Sequence, residues 1–280
     1  MKKVFAFFLS LLLLSATQAQ QPLHVMSFNI RLNVASDSAN AWPHRKDFVA
    51  SQILFHDAHI VGVQEALHNQ MVDLSERLKG FKYVGVGRND GKERGEYSAI
   101  FYDTARLQVL KSETFWLSQT PTVPGSKSWD AAITRVVTWA QLRDKRSGKT
   151  FFAFNTHFDH MGKVARAESA RLLKQRVKEV AGNSPVVITG DFNSAPTDEP
   201  IQVLLSAPDA FTNAKSVSMA PHYGPTGTFT GFQQKETTDD PIDFIFIKNG
   251  FKVLKHATLS QTWGGRFSSD HFPVLAVLQW

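Results

Sequence analysis

Eight polar side chains stand at one end of an apolar run or just beyond it: Asn29, Glu65, His157, Asp191, Asn193, Asp243, Asp270 and His271. Asn29 ends Val-Met-Ser-Phe-Asn, Glu65 ends Ile-Val-Gly-Val-Gln-Glu, and His157 ends Phe-Phe-Ala-Phe-Asn-Thr-His. Asp191 and Asn193 follow Val-Val-Ile-Thr-Gly, Asp243 starts Asp-Phe-Ile-Phe-Ile, and Asp270 and His271 precede Phe-Pro-Val-Leu-Ala-Val. A sheet holds strand-end groups rigidly while the adjoining loops leave them open. Carboxylate and amide oxygens without thiols suit a hard ion such as Mg²⁺, Mn²⁺ or Ca²⁺, and Mg²⁺ in particular takes a substrate phosphate as a further ligand. Histidines can donate to phosphate oxygens, and a carboxylate can orient one of them or prepare a water. Together these groups form an apparatus for hydrolysing a phosphate ester.

Each residue also has a plainer reading. Asn29 suits a turn, Glu65 a helix N-cap, Asp191-Phe-Asn193 an Asx-type turn, and His157 a satisfied, partly buried histidine. Four acids, two histidines and two asparagines at strand ends exceed what turns and caps require.

The elements that must position them follow from hydrophobic periodicity. Strands are predicted at Leu23–Ile30, Ile60–Gln64, Phe81–Gly85, Tyr97–Tyr102, Leu107–Phe115, Arg135–Leu142, Phe151–Thr156, Pro185–Thr189, Asp243–Lys248 and Pro273–Leu278. Helices are predicted at Arg45–His56, Asn69–Leu78 and Val164–Val180. Strands interleaved with helices, and hairpin-like pairs between Phe81 and Leu142, predict a mixed α/β sandwich with helices on the outer faces. The Gly/Pro/Ser/Thr-rich stretch Ser206–Thr238 reads as irregular loops.

The chain has 280 residues, 42% hydrophobic and 20% charged, with a formal net charge of +6 and no cysteine. That composition excludes a disordered, collagen-like or disulfide-stapled chain, and with it every thiolate nucleophile, Cys-ligated zinc and iron–sulfur cluster. Lys2 and Lys3, the apolar run Val4–Leu14 and the small-residue stretch Ser15–Ala19 occur in the order of an export signal. The run of about eleven residues is too short to span a bilayer, and no later stretch is long enough for a membrane helix. A signal peptide at residues 1–19 follows, with a periplasmic or extracellular location, and the length of 20–280 allows one large domain or two small ones. Loss of Lys2 and Lys3 lowers the formal charge from +6 to about +4.

The polar strand ends resemble the endonuclease/exonuclease/phosphatase superfamily of DNase I-like metal-dependent phosphoesterases. Its motifs occur in family order across residues 23–280: Ser-Phe-Asn29, Gln-Glu65, Asn-Thr-His157, Gly-Asp191-Phe-Asn193, Ile-Asp243-Phe-Ile-Phe and Ser-Asp270-His271-Phe-Pro-Val. The resemblance implies a single catalytic domain at 20–280, a four-layer α/β sandwich of two packed mixed sheets flanked by helices. It implies that Glu65 is the main metal ligand, with Asn29 and Asp270 near the metal or its waters. Asp191 would orient or deprotonate the attacking water, and Asn193 would hold that water and stabilise the pentavalent transition state. His157 and His271 would donate to non-bridging phosphate oxygens, and Asp243 would orient one histidine, His157 being the one named. No nucleophilic side chain is evident, so direct in-line attack by water follows.

The segments Gly87–Tyr102 and Trp129–Trp139, with Asp37 and Trp42-Pro-His-Arg45, resemble an exported bacterial branch, some of whose members are thought to act on phosphorylated sugars in glycan breakdown. Arg88, Arg94 and Arg135 are candidate phosphate or substrate contacts, with a solvated turn as the alternative for Arg88 and Arg94. His160 and Arg166 read as surface residues, His160 being also a candidate for the pocket rim. Trp116, Trp129 and Trp263 are candidates for stacking on a sugar or base, with core packing as the equal alternative.

A phosphorylated small molecule or glycan is the predicted partner. A DNase-type nuclease shares the core but needs a continuous basic groove, and the positive charges here are scattered. A sphingomyelinase-like enzyme wants an apolar docking loop, for which only Thr228-Phe-Thr-Gly-Phe232 stands out. No stable membrane anchor is predicted. A non-enzymatic binding scaffold is disfavoured by the full set of metal and phosphate groups.

Overall fold

A computed structural model describes residues 21–233 and 239–280. The predicted export signal at residues 1–19 lies outside the described residues, as does the end of the predicted irregular stretch at 234–238.

Two six-stranded mixed sheets carry the fold. The first is built from β1 (Leu23–Asn29), β2 (Ile60–Ala66), β3 (Phe81–Val84), β4 (Tyr97–Asp103), β11 (Lys252–Thr258) and β14 (Val274–Gln279), in the order β11-β14-β1-β2-β4-β3. The second contains β5 (Leu107–Trp116), β6 (Val136–Asp144), β7 (Thr150–His157), β8 (Val186–Asp191), β9 (Thr212–Asn213) and β10 (Asp243–Lys248), in the order β5-β6-β7-β8-β10-β9. Each centre holds a parallel pair, β1 with β2 and β7 with β8, and the flanking pairs are antiparallel.

Side-chain parity makes the layers. In β1, Leu23 and Val25 point between the sheets, whereas Met26 and Phe28 point outward. In β10, Ile245 and Ile247 point between the sheets, whereas Phe244 and Phe246 point outward. Strands buried on both faces read as unbroken apolar runs, which is why they were legible. The outer face of the first sheet packs on α1 (Lys46–Phe55) and α2 (His68–Arg77) through Val49, Ile53, Met71 and Leu74. The outer face of the second packs on α3 (Lys163–Ala181) and α4 (Glu199–Leu205) through Leu173, Val177, Ile201 and Leu204. Each fully buried Phe or Ile stabilises this four-layer sandwich by about 2 kcal/mol.

The sheets are also tied by polar groups. Asn155 of β7 donates from Nδ2 to the carbonyls of Val63 and Ala99 in the opposite sheet, both at 2.8 Å. Its Oδ1 accepts from Gln64 Nε2 at 2.6 Å and Thr189 Oγ1 at 3.0 Å. Gly62 sits against this cluster, and a Cβ there would collide with Thr189 and Asn155. The Asn of Asn-Thr-His157 and the Gln of Gln-Glu65 therefore lock one sheet to the other.

Five elements escape the sequence reading. α4 is too short to show a period, and its Pro200 fits the first turn. β11 is an edge strand of mixed polarity. β12 (Thr262–Trp263) and β13 (Arg266–Phe267) form a hairpin whose Gly264-Gly265 turn has φ of +54° and +77°, the left-handed backbone of a type I′ turn. β9 falls inside the stretch expected to be irregular.

Candidate active site

Parity and register bring the strand-end groups together. Counting by twos from the inter-sheet residues puts Asn29, His157, Asp191 and Asp243 between the sheets. Register aligns three of them in one row across the second sheet: His157 stands opposite Asp191, and Asp191 opposite Asp243. Asn29 stands in the first sheet, where it pairs with Gln64 of β2.

Glu65 breaks the parity. In a regular β2 it would point outward with Val61 and Val63. The pairing with β4 shifts between Val63 and Ala66, and Glu65 has φ of +63°. This bulge aims its carboxylate at Asn29 and the pocket. Arg31 (φ +56°) and Asn193 (φ +47°) share the left-handed conformation, so three non-glycine residues store backbone strain at one place.

Asn29 Nδ2 donates to Glu65 Oε1 at 3.1 Å and to Asp191 Oδ2 at 2.9 Å. The backbone N–H of Asn193 donates to Asp191 Oδ1 at 3.0 Å, so both oxygens of Asp191 are held. Asn193 Nδ2 lies 3.0 Å from His157 Nε2 and donates to the Phe158 carbonyl. His271 Nδ1 donates to Asp243 Oδ2 at 2.8 Å. Asp243 therefore orients His271, and the expectation that it orients His157 is corrected. Asp243 opens β10, which runs antiparallel to β8, and the loop carrying His271 closes over that end, while His157 lies on the far side of Asp191.

Burial and these contacts divide the titratable groups. Burial, and then the charge of Asp243, push the Asp191 carboxyl above its usual range. Burial would lower His271, but Asp243 and Asp191 outweigh it and hold the imidazole charged well above its ordinary pKa. His157 is driven the other way by burial and by the guanidinium of Arg135, so its ring is neutral. Burial and the charge of Glu65 raise Asp270 against the pull of His271.

The groups line a pocket of about 540 Å³, which includes Glu65, His157, Asp191, Asn193, Asp270 and His271. Asp191, Asp243 and His271 offer ligand atoms within 4.8 Å of one another and are a group able to hold a metal ion. This differs from the Asn29, Glu65 and Asp270 set expected from the sequence.

Of the candidate arginines, Arg135 lines the pocket. Arg88 instead makes a two-pronged ion pair with Glu96 at 2.6 and 2.7 Å, and Glu96 lines the pocket in its place. Arg94 is exposed on the turn after Asp90, away from the pocket lining. His160 is exposed and lines the pocket, whereas Arg166 donates to the Asp159 carbonyl. The three tryptophans stand apart from the pocket lining. Trp116 donates to the Arg88 carbonyl, and Trp263 stacks on Phe48 at 4.4 Å. The loop considered for membrane docking puts Phe229 edge-on to His271 and Phe232 under Arg45.

Arg31 is a site residue that the sequence reading missed. It pairs with Asp37 through two hydrogen bonds of 3.0 Å and lies 3.8–4.0 Å from Asp270 and Glu65. Its position two residues past β1, just beyond the predicted strand end at Ile30, was the available signal. Arg45 is a support: its buried guanidinium donates to the carbonyls of Asn40, Ile30 and Ser268, tying the end of β1 to the loop before Asp270.

Solved structures and curated proteins place this arrangement among relatives. An endonuclease/exonuclease/phosphatase from Bacteroides vulgatus is 39% identical, with TM-score 0.89, covering 93% of this chain and 99% of that one. A Bacteroides thetaiotaomicron mannosyl-6-phosphatase is 38% identical, with TM-score 0.88, covering 92% and 100%. Drosophila melanogaster Nocturnin is 29% identical over 181 residues, which is 59% of this chain and 26% of Nocturnin. The chain thus spans about a quarter of that curated relative. No helix among the described residues is long and apolar enough to cross a membrane. Residues 26–271 match the endonuclease/exonuclease/phosphatase family, and the chain belongs to that family of phosphoesterases.

Proposed function

We propose that the protein is an exported, divalent-metal-dependent hydrolase of sugar or glycan phosphates, acting by direct in-line attack of water. The observation that carries the reading is the buried Asp191 carboxyl, clamped by Asn29 and Asn193 between neutral His157 and charged His271. A carboxyl whose pKa is raised by burial is matched to taking a proton from water near neutral pH. Asn193, beside Asp191 and His157, holds that water. The cationic His271, braced by Asp243, donates to a non-bridging phosphate oxygen and stabilises charge as it develops. The likeness to a mannosyl-6-phosphatase over nearly the whole chain supports the sugar ester, and the basic-apolar-small order of residues 2–19 supports export.

The donor set fits a hard cation at Glu65 and Asp270, with Asn29 beside them. These carboxylates face one another closely enough for Glu65 to raise Asp270. In the alternative group the side chains are already committed to partners, His271 Nδ1 to Asp243 Oδ2 and Asp191 to Asn29 and Asn193. When bound, Mg²⁺ or Mn²⁺ supplies charge neutralisation at the phosphoryl and leaving oxygens.

The test is phosphate release from hexose phosphates and nucleotides, nicking of plasmid DNA and phosphocholine release from sphingomyelin, each with and without chelator. Release from hexose phosphates that chelation abolishes and Mg²⁺ or Mn²⁺ restores is the expected result. Faster cleavage of DNA or sphingomyelin, or turnover indifferent to chelation, overturns the reading.

A further inference from the structure

One wall of the pocket contains charged groups that hydrolysis itself does not use. Glu96 reaches the pocket with its carboxylate braced by Arg88 through two short hydrogen bonds. Each oxygen keeps a lone pair for a further donor. Arg135 is 4% exposed, yet its Nε and Nη1 have no hydrogen-bond partner. Its remaining Nη2 lies 3.2 Å from His160 Nδ1. The nearest carboxylate, Asp159, is 3.7 Å away and is occupied by the backbone N–H groups of Ile133, Met161 and Gly162. Buried guanidinium donors left unmet are costly unless a ligand meets them. Phe229 adds an aromatic surface at the same pocket, 45% exposed and 5.0 Å from the His271 ring.

We propose that Glu96, Arg135 and His160, with the ring of Phe229, form a subsite for the hydroxyl groups of a polyhydroxylated leaving group, a hexose ring. A hydroxyl both donates and accepts, so adjacent hydroxyls can give protons to Glu96 while taking hydrogen bonds from Arg135. The apolar C–H face of a pyranose suits Phe229. A lipid chain has nothing to offer this charged wall, and leaving Glu96 and Arg135 unmet would penalise it. The subsite rests on the reading of the protein as a sugar-phosphate hydrolase, and it names the residues that choose the sugar.

The test compares kcat and KM for hexose 6-phosphate and for ethyl phosphate, an alkyl ester without ring or hydroxyl, in the Mg²⁺-loaded wild type and in Glu96→Gln and Phe229→Leu. The wild type prefers the hexose ester. In Glu96→Gln the ratio of the two kcat/KM values falls by about tenfold or more, chiefly through the KM of the hexose ester. Phe229→Leu lowers the same ratio by about threefold. If Glu96→Gln melts far below the wild type, His160→Ala and Phe229→Leu carry the comparison. A hexose preference that survives in the folded variants overturns the subsite and leaves the proposed function standing. A wild type that turns over ethyl phosphate and not hexose phosphates overturns both.

Discussion

Two depressions of nearly equal size open at opposite ends of β1 and β2, about 540 Å³ beyond their C-terminal ends and about 560 Å³ at their N-terminal ends. Both contain histidines, acids and arginine, two arginines at the active end and one at the other. At the N-terminal end the histidines are spent on the backbone: His24 Nδ1 bonds the His56 carbonyl, and His59 Nδ1 accepts from the His24 N–H. Burial, and then nearby Arg106, push His59 down to about 4, so it is neutral at pH 7. Arg106 itself is locked to Asp144 and the backbone. At the C-terminal end the side chains meet one another, and Asp191, His271 and Asp270 are all shifted in the direction that changes their chemistry. Cavity size and residue type are therefore poor guides to a site. What separates the two ends is whether polar groups are consumed by the fold or aimed at each other.

The largest effect that tests this contrast is on turnover. Asp191→Ala or His271→Ala should lower kcat by about 10³-fold or more if each acts in the transition state as proposed. His59→Ala at the opposite end should leave kcat within about twofold, since it removes a backbone acceptor only. Equal losses from phosphate-release kinetics would erase the distinction.

A smaller loss, about 10²-fold, is expected for Asp243→Asn, with a change in the pH profile. Asp243 helps raise the folded-state pKa of His271, so the charged ring persists below that pKa and is lost as pH rises through it. Without the carboxylate the ring loses its proton earlier, and the alkaline limb of kcat moves to lower pH. An unmoved limb would separate the limb from His271.

Stability should respond next. Asp159 holds the active-end wall, and four backbone N–H groups outweigh its burial and draw its pKa down to about 2. A depressed carboxylate stabilises above its unfolded pKa of about 4 and loses that contribution as pH falls toward 2. Asp159→Ala should cost about 2 kcal/mol at pH 7, and its gap to the wild type should narrow in acid melts. A gap that stays constant from pH 7 to 2 would show that charge is not the cause.

The smallest effect is expected for Arg146→Ala, which lines the N-terminal depression from an exposed turn. Denaturant midpoints should move by less than about 0.5 kcal/mol and kcat should hold. A marked fall in kcat would mean the two ends communicate.

Most strands were legible because both faces are buried, as in Val186-Val-Ile-Thr189 and Phe244-Ile-Phe-Ile247. β11 was not, because His256 and Val253 are buried among exposed lysines. The hairpin at Gly264-Gly265 carried a usable signal, since two adjacent glycines supply the positive φ that its turn needs. Arg31 and Glu96 were harder. Their importance lies in neighbours contributed by other segments, Asp270 for one and the Arg135 wall for the other.

Residue type and strand-end placement, by themselves, determined the kind of chemistry available here: oxygen and imidazole groups held at the rim of a buried sheet, with no thiol in the chain. They determined the strands as well, because an unbroken apolar run bounded by polar residues is a local property. Partnership was decided only by the tertiary structure. Asp243 reaches His271 because β10 runs antiparallel beside β8 and the loop before β14 closes over that end. Glu65 enters the site because a bulge reverses the side it would otherwise face. Register and bulges are set by pairing between segments distant in the chain, so the charge state of each site residue is a property of the assembled sheets.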